Sequence, residues 1–276
     1  MTELLALAEA VAREAGALLL ELAQTPRSGV GSKTSDTDMV SDADRLSEKL
    51  IVDRIASTRP DDEIVGEEGS HRAGSSGVRW TIDPLDGTTN FLFGILQWSV
   101  SVACEDGGGL LAGAVFAPAS GELFSAARGG KAMLNGSRIN VSERADLSDA
   151  LVGTGFSYFP EERAVQAAML RRILPAVRDI RRPGSCALDL CWTAAGRYDA
   201  FYEVPTMPWD WKAGALIVGE AGGVVSELPA IGPGGPGIIA ARRGLHDELL
   251  GVVLAARDLA LEDLQGQSLG FGDGAS

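Results

Sequence analysis

Apolar residues recur with helical spacing in the first part of the chain. One set is separated by alternating steps of four and three residues, as on one face of an α-helix. These positions are Leu4, Ala8, Val11, Ala15, Leu18 and Leu22. A second helix is predicted to begin at Ser41, and its apolar side would bury Leu46, Leu50 and Ile55. The chain is therefore predicted to open with two amphipathic helices.

The pattern changes to strands in the following segment. EIVG and RWTID are predicted to be short strands on either side of the glycine- and serine-rich loop GSHRAGSSG. From Gln97 to Ala126 the apolar positions alternate with a period of two, in QWSVSVA, LLAGAVF and ELFSA. Turn-forming residues separate these runs, which predicts an antiparallel meander.

Beyond residue 149, short apolar runs alternate with helical patterns. Helices are predicted near residues 160–172, 185–195 and 209–221, and from 245 onward. This alternation is typical of an α/β arrangement. The polar, glycine-rich end QGQSLGFGDGAS is predicted to be frayed.

Composition narrows the classes of function. The chain has 276 residues, 45% of them hydrophobic, and a formal net charge of −14. Such an acidic surface repels phosphate backbones, so we expect no nucleic-acid partner, and an anionic substrate would need a bridging cation. No apolar run is long enough to span a membrane, and the first residues lack the layout of a signal peptide, so we expect no membrane association and a cytoplasmic location. The three cysteines have no metal-type or disulfide spacing.

Four carboxylates lie where apolar runs give way to loops or helix starts. They are Glu67 in VGEEG, Asp83 and Asp86 in IDPLDGTT, and Asp210 in PWDWKAG. Each taken alone is explained as a turn or helix-capping residue. The segment DPLDG changes this balance, because Pro84 and Gly87 can hold two of the acids near one point.

Two carboxylates a few ångströms apart raise each other's pKa unless a cation lies between them. No lysine or arginine occurs from Trp80 to Cys104, so the cation is predicted to be a metal. Oxygen ligands without histidine or thiolate favour Mg²⁺ over Zn²⁺. The backbone N–H groups of Gly87, Thr88 and Thr89 follow directly and suit a phosphate, which indicates metal-assisted phosphate chemistry.

The segment DPLDGTTNF, with GEE upstream and PWDWKAGALIVGEAGG downstream, resembles the inositol monophosphatase family of Mg²⁺-dependent, lithium-sensitive phosphatases. The resemblance runs from about Leu4 to Leu250 and includes SDAD and RRPGSCALDLCWTAAGRYDAFYE. Two signature motifs in the right order make it specific.

The resemblance implies a set of metal ligands for two magnesium ions, or three. Glu67, Asp83 and the main-chain carbonyl of Leu85 would bind the first ion. Asp83, Asp86 and Asp210 would bind the second, and Glu67 would share a weaker third.

The resemblance also implies catalytic and substrate contacts. Thr88 and Asp44, with Glu67, would orient the attacking water, although Asp44 also fits the S-x-x-D capping pattern and could serve only the helix start. The predicted substrate contacts are Gly87, Thr88, Ser185, Cys186, Glu203 and Asp210. Lys33 matches a family lysine on a loop near the metals.

The implied fold is a layered αβαβα sandwich of the sugar-phosphatase type. An α+β part, residues 1–145, would carry most of the acids, and an α/β part, residues 146–260, would carry Asp210 and the substrate rim. Residues 261–276 would form a flexible tail. Family members are commonly homodimers, and the same is expected here.

The activity that the resemblance implies is hydrolysis of myo-inositol 1-phosphate. Direct attack of a metal-activated water is predicted, because DPLDGTTNF and PWDWKAG contain no cysteine or histidine nucleophile. Related phosphatases acting on histidinol phosphate, fructose 1,6-bisphosphate or 3′-phosphoadenosine 5′-phosphate remain alternatives. A further alternative is a regulatory binding protein on the same fold.

Overall fold

The computed structural model describes residues 2–24, 31–32 and 39–270. Its helices are α1 (Thr2–Ala23), α2 (Asp42–Thr58), α3 (Thr88–Phe93), α4 (Pro160–Ile173), α5 (Cys186–Ala194), α6 (Pro208–Glu220) and α7 (Arg243–Gly270). The first ten strands are β1 (Gly31–Ser32), β2 (Met39–Val40), β3 (Glu63–Gly66), β4 (His71–Arg72), β5 (Arg79–Asp86), β6 (Ser99–Asp106), β7 (Gly109–Ala117), β8 (Glu122–Ala127), β9 (Met133–Leu134) and β10 (Ser137–Arg138). The remaining strands are β11 (Leu151–Thr154), β12 (Asp179–Arg181), β13 (Ala200–Glu203), β14 (Val224–Leu228) and β15 (Gly237–Ala241).

Two large sheets organise these elements. The first has eight strands in the order β10-β9-β8-β7-β6-β5-β3-β4, antiparallel except between β3 and β5. The second has five strands in the order β12-β11-β13-β15-β14. The neighbours β12, β11 and β13 are parallel, and β15 is antiparallel to both of its neighbours, β13 and β14. The predicted meander is confirmed as β6, β7 and β8.

Helices form the three layers around the sheets. α1 and α2 pack on the outer face of the eight-stranded sheet, and α5 and α6 lie between the two sheets. α4 and α7 cover the far face of the five-stranded sheet. Three apolar cores fill the spaces between these layers. The layered αβαβα sandwich predicted from the resemblance is confirmed.

The buried face of α1 is rotated slightly from the predicted one. Ala8, Val11 and Ala15 are fully buried as expected, but Leu19 replaces Leu18 at the centre of the contact. Small residues on this face allow the helix to approach the sheet closely. The prediction of an amphipathic first helix is confirmed.

The prediction for α2 is wrong at Leu46, which is 48% exposed. Ile51 and Ile55 supply the apolar contact, and the turn before them buries polar side chains instead. Apolar spacing alone could not identify this, because the buried Ser47 and Glu48 bond to main-chain polar groups.

The C-terminal helix differs from its prediction at both ends. α7 begins at Arg243, and its backbone continues through residues 261–270, where a tail was expected. Ala260 is fully buried, which explains why the helix does not end earlier. The division at residue 145 stays a prediction; the eight-stranded sheet ends at Arg138 and the five-stranded sheet begins at Leu151.

In the described ranges, no helix combines the length and apolar character needed to cross a bilayer. Cys104, Cys186 and Cys191 are buried free thiols, in agreement with the absence of a disulfide pattern.

Candidate active site

The segment DPLDG forms the end of β5 and the turn into α3. Asp83, Pro84, Leu85 and Asp86 are all buried, and the pairing of β5 with β6 shifts register between the two aspartates. Gly87 then has a φ of 95°, in the left-handed region that favours glycine. This bulge and turn end the strand abruptly, so that its last carbonyls and the first amides of α3 lie at one place.

Asp83 is 2% exposed and lies among other acids. Burial, together with Glu67, Asp86 and Asp210, raises the pKa of Asp83 well above its usual value. These neighbours come from three places: the loop after β3, the end of β5 and the first turn of α6. The structure therefore brings together the four carboxylates that the sequence singled out.

Asp86 points at the N-terminus of α5. Its carboxylate accepts hydrogen bonds from Ser185 Oγ (2.5 Å), Cys186 N (3.1 Å) and Ala187 N (2.8 Å). Burial raises the pKa of Asp86 to about 6, and the bonds from Ser185, Ala187 and Cys186 oppose that rise by stabilising the charged form. Ser185 and Cys186 thus contact an acid of the site through the helix start.

Asp210 caps its own helix. Its Oδ2 accepts a hydrogen bond from Met207 N (2.6 Å) at the start of α6. Burial and the Glu67 carboxylate raise the pKa of Asp210 well above its usual value. The capping role and the position beside the other acids therefore coexist in one side chain.

Thr88 joins α3 to α2 through Asp44. Its Oγ1 lies 2.8 Å from Asp44 Oδ1 and 3.1 Å from the carbonyl oxygen of Leu85. Asp44 Oδ2 accepts hydrogen bonds from Ser41 N and Ser41 Oγ, at 2.8 and 2.6 Å. Asp44 therefore caps α2 with one oxygen and contacts Thr88 with the other, so both interpretations of this residue describe real contacts.

Glu203 ends β13 beside the site. Burial raises the pKa of Glu203 to about 8. The positive charge of Arg182 opposes this rise, and the negative charge of Asp86 adds to it. Gly155 faces it so closely that a Cβ there would lie 2.0 Å from the Glu203 carboxylate. The sequence had not indicated Arg182 or Gly155, because only the tertiary fold brings them to Glu203.

Within residues 41–264, no lysine, arginine or histidine forms an ion pair with Asp83, Asp86 or Asp210. The predicted donor set consists of carboxylates and the Leu85 carbonyl, which are hard oxygen ligands suited to Mg²⁺. Over the described residues, however, no three acidic, histidine or cysteine side chains are gathered tightly enough to enclose an ion. Asp86 and Asp210 are hydrogen-bonded to main-chain N–H groups at the starts of α5 and α6.

Lys33 lies outside the described residues. Two residues that sequence reasoning missed are Ser47 and Glu48, which lie on the buried face of α2. Their spacing from Asp44, three and four positions along a helix, was the available signal.

A family model described as the inositol monophosphatase family matches residues 1–256. The chain belongs to this family. An inositol-1-monophosphatase from Mycobacterium leprae is 42% identical over 278 residues, covering 94% of this chain and 96% of the relative. The Nus factor SuhB of Escherichia coli is 38% identical, and the alignment covers 83% of this chain and 86% of the relative.

Solved structures of the family share the fold. The inositol monophosphatase of Thermotoga maritima has a TM-score of 0.84 at 34% identity, covering 94% of this chain and 100% of that one. SaIMPase-II with bound inositol monophosphate has a TM-score of 0.75 at 26% identity, covering 97% and 99%, and the same protein also has a structure with bound 2′AMP. Membership of the inositol monophosphatase family supports a phosphatase.

Proposed function

We propose that the protein is a Mg²⁺-dependent phosphomonoesterase that hydrolyses myo-inositol 1-phosphate to inositol and phosphate. The observation that carries the proposal is the burial of Asp83 among Glu67, Asp86 and Asp210, with no ion pair from a lysine or arginine of the described residues. Such an arrangement is costly for the fold alone and suits a divalent cation.

The proposed ligands are Glu67, Asp83, Asp86, Asp210 and the carbonyl of Leu85, for two magnesium ions or three. Bound Mg²⁺ would supply charge neutralisation and would lower the pKa of a water molecule. All other steps belong to the chain itself.

Thr88 is proposed to orient the attacking water together with Glu67. When the Thr88 hydroxyl donates its proton to Asp44 Oδ1, its lone pairs are left to accept a hydrogen bond from water. Asp44 is held by Ser41 and can receive the proton. This gives general base assistance without a covalent intermediate.

Substrate would be held at two helix starts. The amides of Gly87 and Thr88 are proposed to bind the phosphate. The polyol hydroxyls are proposed to bind at the start of α5, to Ser185 and Cys186, and to Glu203 and Asp210. The bound inositol monophosphate and 2′AMP in the structures of SaIMPase-II support a pocket that accepts more than one phosphomonoester.

Phosphate release tests the proposal. The full chain should be assayed with inositol 1-phosphate, histidinol phosphate, fructose 1,6-bisphosphate and 3′-phosphoadenosine 5′-phosphate, each with and without Mg²⁺ and Li⁺. We expect Mg²⁺-dependent, Li⁺-inhibited release with inositol 1-phosphate as the best substrate. A better rate on another compound would reassign the substrate within the superfamily.

The E. coli relative named Nus factor SuhB supports a second candidate, a regulatory binding protein. The net charge of −14 argues against direct binding to nucleic acid, so the partner would be a protein. Absence of turnover on every phosphomonoester, with a folded protein, would favour this role.

A homodimer is also proposed. Phe93, Ile95 and Leu96 follow the acidic segment and are 70%, 50% and 66% exposed. Three adjacent large apolar side chains on a surface support an association site. Light scattering should give twice the mass of 28.8 kDa, and the mass of one chain would contradict the proposal.

A further inference from the structure

The loop that carries Glu67 is held from one side by a buried acid of α2. Glu48 is 3% exposed, and its carboxylate accepts hydrogen bonds from Glu68 N (2.8 Å) and Ser70 N (3.0 Å). Within the loop itself, Gly66 N donates to Ser70 O at 2.8 Å. Glu48 therefore binds the backbone immediately after Glu67 at two points, through bonds of the stronger, charge-assisted kind.

The residue before Glu67 is shaped to admit this carboxylate. A Cβ at Gly66 would lie 2.3 Å from Glu48 Oε2, a distance that real Cβ contacts do not reach. Gly66 has no positive φ, so its glycine is explained by the close approach of Glu48 and not by backbone conformation.

Glu48 acts within a row of polar contacts along α2. Asp44 bonds to Thr88 Oγ1, and Ser47 Oγ donates to the carbonyl oxygen of Pro84 at 2.8 Å. These three side chains are at most 3% exposed. One helix face thus contacts the loop of Glu67, the turn between Asp83 and Asp86, and the start of α3, which fixes these three segments relative to one another.

We propose that Glu48 is a positioning residue that holds Glu67 at the distance from Asp83 needed for cation binding, and so sets the affinity of the site for its metal. The inference rests on the proposed function, because it takes Glu67 as a ligand. Side chains that orient ligands in this way typically change metal affinity by about 10- to 100-fold when they are replaced.

Glu48→Gln is the informative substitution. Glutamine has the same shape but offers one acceptor oxygen, so one of the two N–H groups would face its NH₂ group. The matched control is Glu162→Gln. Glu162 is fully buried, and its carboxylate accepts hydrogen bonds from Gly234 N (2.6 Å) and Ser157 Oγ (2.5 Å) on the far side of the five-stranded sheet.

Binding of Mn²⁺ and Mg²⁺ to the full-length variants should be measured by calorimetry, and Mn²⁺ binding also by electron paramagnetic resonance. We expect Glu48→Gln to raise the dissociation constant about 10- to 100-fold. Its kcat at saturating Mg²⁺ should stay within about threefold of wild type, because the missing contact alters occupancy and not the bound arrangement. Glu162→Gln should lose thermal stability without a change in metal affinity.

If Glu48→Gln does not fold, Gly66→Ala decides the question, because its Cβ displaces the Glu48 carboxylate without removing it. Binding within about twofold of wild type in a folded Glu48→Gln or Gly66→Ala variant would overturn the inference. Equal weakening by Glu162→Gln would also overturn it. A wild-type protein that binds neither ion and hydrolyses no phosphomonoester would instead refute the proposed function, and the inference with it.

Discussion

Replacement of Gly155 by alanine is expected to disable recognition of polyol substrates while leaving the fold intact. An added Cβ would lie 2.0 to 2.1 Å from the Glu203 carboxyl atoms. Gly155 has no positive φ, so alanine introduces no backbone strain. To restore ordinary contact of about 3.5 Å, the carboxylate has to move by about 1.5 Å.

That displacement is large compared with the tolerance of a hydrogen bond, which weakens beyond about 3.2 Å. At about pH 9, above the raised pKa of about 8, Glu203 is ionised, and a hydrogen bond to a charged group contributes about 1.5–3 kcal/mol. Since 1.4 kcal/mol corresponds to a factor of ten, Gly155→Ala should lower kcat/KM for inositol 1-phosphate by about 10- to 100-fold. If Glu203 binds the ground state and the transition state of the substrate equally, most of the loss should appear as an increase in KM.

The assay compares inositol 1-phosphate with p-nitrophenyl phosphate, which has no hydroxyl group for Glu203 to bind. Gly155→Ala should change kcat/KM for the second substrate by less than about threefold, and adding Glu203→Gln should produce little further loss for the first. Gly219→Ala is the control, because a Cβ there meets no atom within 4 Å. Equal losses on both substrates, or an unchanged rate on inositol 1-phosphate, would refute the assignment of Glu203.

Three other substitutions give sharp outcomes. Asp83→Asn should reduce phosphate release at least about 100-fold even in saturating Mg²⁺, since it removes the acid whose pKa is raised by Glu67, Asp86 and Asp210 together; near wild-type rates would contradict its role. Thr88→Val should lower kcat by about 100-fold, whereas Thr88→Ser should retain most activity, because only the hydroxyl contacts Asp44; equal loss in both would indicate a packing role. Asp62 is buried, which opposes ionisation, but hydrogen bonds from Arg59, Ser76 and Trp80 hold its pKa below the usual value. Its stabilising effect is therefore present above about pH 4 and is lost as pH falls through the lowered pKa. Chemical denaturation should show Asp62→Asn less stable by about 2 kcal/mol at pH 7, with a difference that shrinks as pH falls below about 4. A pH-independent difference would contradict this explanation.

Sequence reasoning succeeded where the interacting residues are close along the chain. Asp83 and Asp86 lie within one five-residue segment, and local rules for proline and glycine were enough to predict that the two carboxylates lie near each other. The capping contact between Ser41 and Asp44 is equally local, and it is present. Short separation makes such geometry a property of the backbone and not of the whole fold.

Contacts between distant segments could not be predicted in this way. Asp86 and Ser185 are 99 residues apart, and the hydrogen bond between them depends on the packing of α5 under the eight-stranded sheet. Leu46 was predicted to be buried because apolar spacing assumes an apolar neighbour, but α2 instead presents Ser47 and Glu48 to main-chain groups. A buried polar face has no signature in a search for hydrophobic periodicity.

Asp83, Asp86 and Asp210 accept hydrogen bonds from main-chain N–H groups, and none of the three pairs with a lysine, arginine or histidine within residues 41–264. Asp83 accepts one bond from Leu85 N, and Asp210 accepts one from Met207 N. Asp86 accepts two from the start of α5, and these also join the eight-stranded sheet to the helices behind it. These N–H dipoles reduce the cost of burying the negative charges but do not remove it. The pKa values of all three acids therefore stay raised. A lysine in the same place would neutralise them and would occupy the position proposed for the metal. The deficit of positive charge is therefore the feature on which the proposed binding of a divalent cation rests.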